Sequence, residues 1–264
     1  MHPSSHTKKD FPYWLVAIVL LTIAMWGRIL TDELYTDVAD KLVRGVGVTI
    51  LVTLIGFTFA SLIGLALAVA TLSRFIVLRQ LARLYIEIMR GIPILVLLLY
   101  IAFVVAPGLV YAWNWIAESL GFDPIRTRDF PLLWRAVMAL TLAYSAFIAE
   151  VFRAGLLSVD PGQVEAAKAL GLSGWYRFRH IIFPQAIRTI MPPMGNDFVA
   201  MIKDSSLVSV LGVYDITQIG KVTAAGNFRY FETYNVVALY YLMMTVTLSL
   251  LLGKVEQKMR AKYP

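Results

Sequence analysis

The chain contains no cysteine, and its 264 residues include only three histidines. The lack of cysteine excludes disulfide bonds, thiolate metal sites and a cysteine nucleophile. Two of the histidines, His2 and His6, lie in the N-terminal tail, where a histidine is usually solvated, so a histidine-based metal site or triad is not supported. The sequence therefore excludes thiol chemistry and gives no support for histidine-based chemistry.

Charged residues are also scarce, at 16%, whereas 59% of the residues are hydrophobic and the mean hydropathy is +0.70. Soluble domains carry about 25% charged residues, so this composition indicates a membrane protein. Uncharged runs cover 11–27, 45–73, 91–117, 136–149 and 233–253, and a more polar segment covers 189–214. Most of these match the roughly 20 residues that a helix needs to cross the hydrocarbon. We predict an all-α membrane protein, a polytopic bundle of about six transmembrane helices.

The first run has two interpretations, because Lys8 and Lys9 before it also fit a secretory signal. No small-residue cleavage site follows it, so we interpret it as an uncleaved span. The predicted cytoplasmic segments then hold most of the 24 Lys and Arg residues, which places both termini in the cytoplasm. This topology and anionic membrane lipids explain the net charge of +7 without nucleic acid.

Small residues recur every four positions in the second run, which places them on one stripe of a helix. A stripe of small residues lets two helix backbones approach closely in a membrane. Its partner is either another helix of the same bundle or a second subunit. The helix-packing residues predicted in this way are Gly56, Ala60, Gly64 and Ala68.

A polar stretch, GQVEAAKALGLSGWYRFRHIIFPQA, covers residues 162–186 between apolar runs. Asp160 and Pro161 before it are typical of the start of a helix, and Gln163 is spaced as a capping-box partner. Gly171 is typical of a helix end. These signals predict a helix of about ten residues.

Ser173 predicts the start of a second helix, and Pro184 predicts its end. The two predicted helices are too short and too polar to cross the membrane. A helical pair held between two spans can dock in a groove on a cytoplasmic protein and transmit force. The alternative from the residues alone is a passive loop on the bilayer.

The same stretch resembles the E-A-A loop of ATP-binding cassette (ABC) importer permeases, a pattern of E-A-A, three residues, G, nine residues, I, x, L-P. Glu165, Ala166, Ala167 and Gly171 match, and Phe183 replaces the usual leucine. Further segments are similar, in order, to the polar amino acid branch of that superfamily, namely LYIEIMRGIPILV, FIAEVFRAGLLSVDPGQVEAAKALGLS, FPQAIRTIMPPMGNDFVAMIKDSSLVSVLGV and YYLMMTVTLSLLLGKVEQKM.

The resemblance implies a type I importer-like domain over 45–259, with a coupling loop over 158–186. Residues 1–44 are expected to form a cytoplasmic tail, an additional first span and an outer loop, and 260–264 a cytoplasmic tail. It also implies the membrane subunit of an amino acid importer in the bacterial cytoplasmic (inner) membrane, which works by alternating access. The residues expected to couple to the ATPase are Gln163, Glu165, Ala166, Ala167, Lys168, Gly171 and Pro184.

The implied partners are ABC ATPase subunits, a second permease subunit that is identical or homologous, and a periplasmic or lipid-anchored amino acid-binding protein. The chain has no G-x-x-x-x-G-K-[ST] phosphate-binding loop. We therefore expect this chain to be a transport subunit and not an enzyme. We also expect no cofactor in this chain, with ATP and Mg²⁺ bound by the partner ATPase.

The segment 189–214 places ionisable groups at a depth where each costs about 2.5 to 3.5 kcal/mol at the centre. Such groups must face protein or water, and a polar stripe of both signs suits a zwitterion. The predicted substrate pathway consists of Asn196, Asp197, Lys203, Asp204, Ser205 and Ser206, with Glu150 on another span. The alternative is structural pairing of Lys203 with Asp204 or with Glu150, or a local pair of Glu150 with Arg153.

Two other functional classes remain as alternatives. The first is a secondary transporter or channel driven by an ion gradient through Asp197, Asp204 and Glu150. Inverted repeats and interrupted helices, which such a transporter would show, are not evident in the sequence. The second is a membrane enzyme, for which the sequence offers no convincing histidine or paired-carboxylate site.

Overall fold

The computed structural model describes residues 13–262, and these residues form helices and short connections without a β-strand. The predicted N-terminal tail, with Lys8 and Lys9, and residues 263–264 lie outside the described residues. The α-helices are α1 (Tyr13–Thr31), α2 (Glu33–Thr71), α3 (Ile76–Gly91), α4 (Ile94–Tyr100), α5 (Ala106–Leu120), α6 (Leu132–Leu157), α7 (Pro161–Ala169), α8 (Gly174–Arg177), α9 (Phe183–Asp204), α10 (Ile216–Asn227) and α11 (Tyr230–Lys262). Short π-helical segments occupy Ile101–Val105 and Phe178–Ile182, and 3₁₀ segments occupy Thr127–Asp129 and Ser205–Leu211.

Five helical segments of the described chain are long and apolar enough to cross a membrane. They are Tyr13–Thr31, Glu33–Thr71, Ile94–Leu120, Leu132–Leu157 and Tyr230–Met259, and they correspond to the five predicted uncharged runs. The sixth predicted segment forms α9 and the 3₁₀ segment after it. Its helix is more polar and contains Pro192 and Pro193. The predicted all-α bundle is thus confirmed.

The second span starts earlier than its uncharged run. Residues before 45 were expected to form an outer loop, but α2 begins at Glu33, immediately after α1. The Asp32 side chain caps this start by accepting a hydrogen bond from the Leu34 N–H at 3.0 Å. The first three turns of α2 are amphipathic, and Val38 and Leu42 are fully buried in a cluster with Ile216 and Val236. Burial of this apolar face keeps the charged segment helical.

The centre of the bundle is formed by α2, α6 and α9. Gly56, Ala60, Gly64 and Ala68 are all buried along one side of α2. A Cβ atom on Gly64 would lie 3.0 Å from the Ser145 carbonyl oxygen of α6, and one on Gly56 would lie 3.6 Å from the Met201 sulfur of α9. The structure therefore places the small-residue stripe at contacts within the bundle.

At one end of α6, a buried arginine organises the connection from α5. Arg135 is 6% exposed, and its guanidinium donates to the backbone carbonyls of Phe130 at 2.9 Å, Ala102 at 3.1 Å and Thr127. Ala102 belongs to the π-helical segment, where carbonyl groups leave the regular α-helical pattern. The guanidinium charge is thus satisfied by three backbone acceptors, and these hydrogen bonds fix the connection between α5 and α6 against the bundle.

Candidate coupling and transport sites

The coupling segment, residues 158–186, begins with a capped helix. The Asp160 side chain accepts a hydrogen bond from the Gly162 N–H at 2.8 Å, and α7 starts at Pro161 as predicted. At the other end, Gly171 has φ +72° and its N–H donates to the Lys168 carbonyl, while the Leu172 N–H donates to the Ala167 carbonyl. This pair of bonds is a Schellman motif, which needs a left-handed residue at the position of Gly171.

The helix α7 has one face on the protein and one face free. Ala167 is 3% exposed, whereas Glu165, Ala166 and Lys168 are exposed. No side-chain hydrogen bond or ion pair of Glu165 or Lys168 occurs within the described residues. A face with small side chains and unpaired charges is available for a partner protein.

The position of α7 is fixed by contacts with the α6–α7 connection and with α9. Val159, Ala186 and Ile190 are buried together, and Val164 of α7 packs against them. The side chain of Gln163 accepts a hydrogen bond from the Gln185 amide at 2.7 Å, so it does not close the predicted capping box. These contacts join the coupling helix directly to the first turns of α9.

The second predicted helix does not end at Pro184, so that prediction was wrong. Ser173 caps it as predicted, accepting from the Tyr176 N–H at 3.3 Å, but the helical path continues through the π segment into α9. Pro184 directly follows the π segment, where the Phe183 N–H donates to the Phe178 carbonyl five residues back and the regular α-helical pattern is interrupted. The last part of the coupling segment and the polar segment consequently belong to one helical path from Gly174 to Leu211.

The predicted pathway residues are distributed over several environments. Asp204, the last residue of α9, is half-buried, and its Oδ2 accepts a hydrogen bond from the Tyr144 hydroxyl of α6 at 2.7 Å. Ser205 is fully buried and donates to the Ile202 carbonyl at 2.7 Å. A serine bonded to its own helix contributes to the 3₁₀ turn, which leaves it less available to a ligand than a free hydroxyl.

The remaining predicted pathway residues of α9 and of the 3₁₀ segment after it form no side-chain hydrogen bond or ion pair with a described residue. Asn196 and Lys203 are exposed, and Asp197 and Ser206 are half-buried. The Oδ2 atom of Asp197 is buried without a hydrogen-bond partner. Neither Asp197 nor Asp204 forms an ion pair with a described residue, so the alternative pairing of Lys203 with Asp204 does not occur. Polar side chains without partners at this depth favour a water-filled or subunit-lined path.

Glu150 forms an ion pair with Arg153 and not with the polar residues of α9. Its Oε2 lies 2.6 Å from Nη2 and 3.0 Å from Nε of Arg153. This is the local pair that the sequence analysis gave as an alternative. The pairing of Glu150 with Lys203 is not present.

Sequence reasoning missed two polar groups that the tertiary structure brings to helix contacts. Tyr144 lies in the middle of a predicted span and is 3% exposed. Asp215 is fully buried, where its carboxylate accepts hydrogen bonds from the Gln218 N–H at 2.7 Å and the Tyr241 hydroxyl at 3.0 Å. The available signal was that a buried tyrosine hydroxyl usually has a hydrogen-bond partner. The sequence does not say which residue that partner is.

A family model described as the inner membrane component of binding-protein-dependent transport systems matches residues 60–261. The chain belongs to this family. It is 36% identical over 231 residues to a probable amino-acid permease, YxeN, of Bacillus subtilis, with 88% of this chain and 96% of that protein covered. It is 34% identical over 219 residues to the glutamine transport system permease GlnP of Escherichia coli, covering 83% and 93%.

Solved structures support the same assignment. A chain of an amino acid ABC transporter crystallised with histidines is 35% identical and has a TM-score of 0.71. The match covers 87% of this chain and 98% of that chain. A chain of the MetNI methionine transporter is 21% identical with a TM-score of 0.63, covering 83% and 95%, which supports the fold alone. The fold is therefore that of type I ABC importer permeases.

This membership confirms that the chain is a permease subunit of an ABC importer and an inner membrane protein. In such a transporter the ATPase is a separate subunit, which agrees with a role that is not enzymatic. The family implies an ATPase and a binding protein as general partners.

Proposed function

We propose that this chain imports a polar amino acid by alternating access, driven by ATP hydrolysis in partner subunits. The observation that carries the proposal is the capped, partly free helix α7 in contact with α9, which bears the polar residues. Relatives named as amino acid and glutamine permeases support amino acids as the substrate class. Two permease chains, alike or homologous, would enclose the path, and a periplasmic or lipid-anchored binding protein would deliver the substrate.

The proposed mechanism starts at the free face of α7. Two ATPase subunits that hold ATP and Mg²⁺ dock on the surface from Gln163 to Gly171 and move it when they close. Because Val164 packs against Ala186 and Ile190, displacement of α7 acts on α9 as well. The path lined by α9 then changes its access from one side of the membrane to the other, which requires differential affinity in the two states.

Within the path, we propose that Asn196, Asp197, Lys203, Asp204 and Ser206 contact the substrate. Carboxylates without a cationic partner suit the ammonium group of an amino acid, and an exposed lysine suits its carboxylate. Ser205 and Glu150 contribute less directly, because the first bonds to its own helix and the second to Arg153.

The test is reconstitution of the importer with Glu165→Lys or Gly171→Asp. Glu165 is exposed, and a Cβ on Gly171 meets no atom within 4 Å, while aspartate tolerates a left-handed backbone better than most residues. Both variants are expected to enter the membrane but to lose ATPase binding and substrate-stimulated ATP hydrolysis. Glu118→Lys is the matched control, since it makes the same charge change at an exposed site near the end of α5, outside the coupling segment.

If co-purification and substrate-stimulated hydrolysis both survive in the two variants, α7 is not the docking site. An ionophore separates the energy sources: uptake that collapses while ATP remains would support the gradient-driven alternative. Uptake that continues would support the ATP-driven mechanism.

A further inference from the structure

The hydrogen bond between Tyr144 and Asp204 joins the middle of α6 to the end of α9 across 60 residues of sequence. The tyrosine is almost fully buried, at 3% exposure, whereas Asp204 is half-buried. Only one oxygen of the carboxylate, Oδ2, is used by this bond. The buried Tyr144 therefore holds one oxygen of Asp204, and the other oxygen of that carboxylate has no hydrogen-bond partner in the described chain.

The position of Asp204 is electrostatically unfavourable for the fold. A carboxylate within a membrane-spanning bundle is costly unless a cation or a hydrogen-bond donor compensates it. No described lysine or arginine lies within 4.0 Å of it to compensate the charge. A neutral hydroxyl supplies a directed hydrogen bond and leaves the negative charge of the group in place. A carboxylate that is oriented by a neutral hydroxyl and has no cationic partner in the described chain is suited to bind a cationic group of a ligand.

We propose that Tyr144 is a positioning residue for transport, which orients the Asp204 carboxylate so that its free oxygen receives the ammonium group of the substrate. This inference depends on the proposed function, because it takes Asp204 as a substrate contact. It adds that α6 contributes to substrate recognition through a residue that does not touch the substrate.

The test is Tyr144→Phe in the reconstituted transporter, with amino acid uptake measured over a range of concentrations. Phenylalanine keeps the ring and removes the hydroxyl, so packing is preserved. We expect the apparent KM for uptake to rise by about tenfold, as for the loss of one hydrogen bond to a charged group, with a much smaller change in maximal rate. An unchanged KM would overturn the inference.

Tyr85→Phe is the matched control. The Tyr85 hydroxyl is also held at the surface of α6, by the Leu142 carbonyl at 3.0 Å and the Ser145 hydroxyl at 2.9 Å, but it contacts no carboxylate. Loss of this hydroxyl is expected to leave the KM unchanged. If Tyr85→Phe raises the KM as much as Tyr144→Phe does, the effect of Tyr144 is general helix packing and the inference is wrong.

A double-mutant cycle with Asp204→Asn separates positioning from structure. If Tyr144 acts through Asp204, Tyr144→Phe is expected to have no further effect on KM when Asp204 is already changed. Additive effects would contradict the inference. Should Tyr144→Phe assemble poorly, Asp204→Glu tests the same contact by moving the carboxylate along its side chain, and an unchanged KM there would also overturn it.

The same experiment distinguishes the two proposals. Wild-type KM in Tyr144→Phe together with impaired uptake in Asp204→Asn overturns the inference about Tyr144 but keeps the proposed pathway. Wild-type uptake in Asp204→Asn removes Asp204 from the pathway and the inference with it. Wild-type protein that shows no ATP-dependent uptake overturns the proposed function itself.

Discussion

The substitution Gly64→Ala tests the close contact of α2 with α6, and Gly56→Ala provides its internal control. Both glycines lie on the same buried stripe of α2 and look equivalent in the sequence. A methyl group on Gly64 would lie 2.8 Å from Cγ2 of Ile148, 3.0 Å from the Ser145 carbonyl oxygen and 3.1 Å from the Ala149 nitrogen. Two of these atoms belong to the backbone, so relief requires the helices to separate.

A methyl group on Gly56 would meet its neighbours at 3.6 to 3.9 Å, which is ordinary van der Waals contact. Both substitutions gain about 1 kcal/mol from the higher helix propensity of alanine. Only Gly64→Ala also suffers overpacking, which costs about 1–3 kcal/mol. We therefore expect Gly64→Ala to be less stable than Gly56→Ala by about 1–3 kcal/mol.

The assay is unfolding of each purified variant in mixed micelles with increasing SDS, followed by circular dichroism. The difference between the two glycine variants is the informative quantity, because their propensity gains cancel. Equal stability of the two variants, or greater stability of Gly64→Ala, would refute the close-contact argument. A loss of stability in Gly56→Ala of the same size would refute it as well.

Two further predictions concern the ends of the bundle. Arg135→Met leaves the carbonyls of Phe130, Ala102 and Thr127 without their donor, so limited proteolysis should cleave the connection 121–131 faster than in wild type. Unchanged cleavage would show that Arg135 does not hold this connection against the bundle. Asp160→Ala should destabilise α7 by about 1 kcal/mol and accelerate amide hydrogen exchange in its first turn, because the capping hydrogen bond is lost. Asp160→Asn should keep the cap. Equal exchange rates in the two variants would contradict the capping role.

Predictions from the sequence succeeded where the deciding interactions are local. Asp160 and Ser173 cap helices because their side chains bond to backbone N–H groups two and three residues later. Gly171 ends α7 because the Schellman motif requires a left-handed backbone at that position. The apolar runs became membrane-length helices because solvation by hydrocarbon depends on composition and length.

Predictions failed where a distant residue takes part. Pro184 does not end its helix, because the π segment before it lets the helical path continue into α9. The loop expected before residue 45 is helical, because Val38 and Leu42 are buried against α10 and α11, which lie far along the chain. Gln163 bonds to Gln185 and not to its own helix start.

By itself, the sequence determined that this protein is a helical membrane protein with a capped helix between spans, since hydropathy and capping act over a few residues. Only the tertiary structure decided that Gly64 is the tight contact and Gly56 the loose one, that α7 is joined to α9, and that Tyr144 holds Asp204. These depend on which faces of α2, α6 and α9 meet. That choice minimises unpaired polar groups and voids over the whole bundle, and no single segment of the chain encodes it.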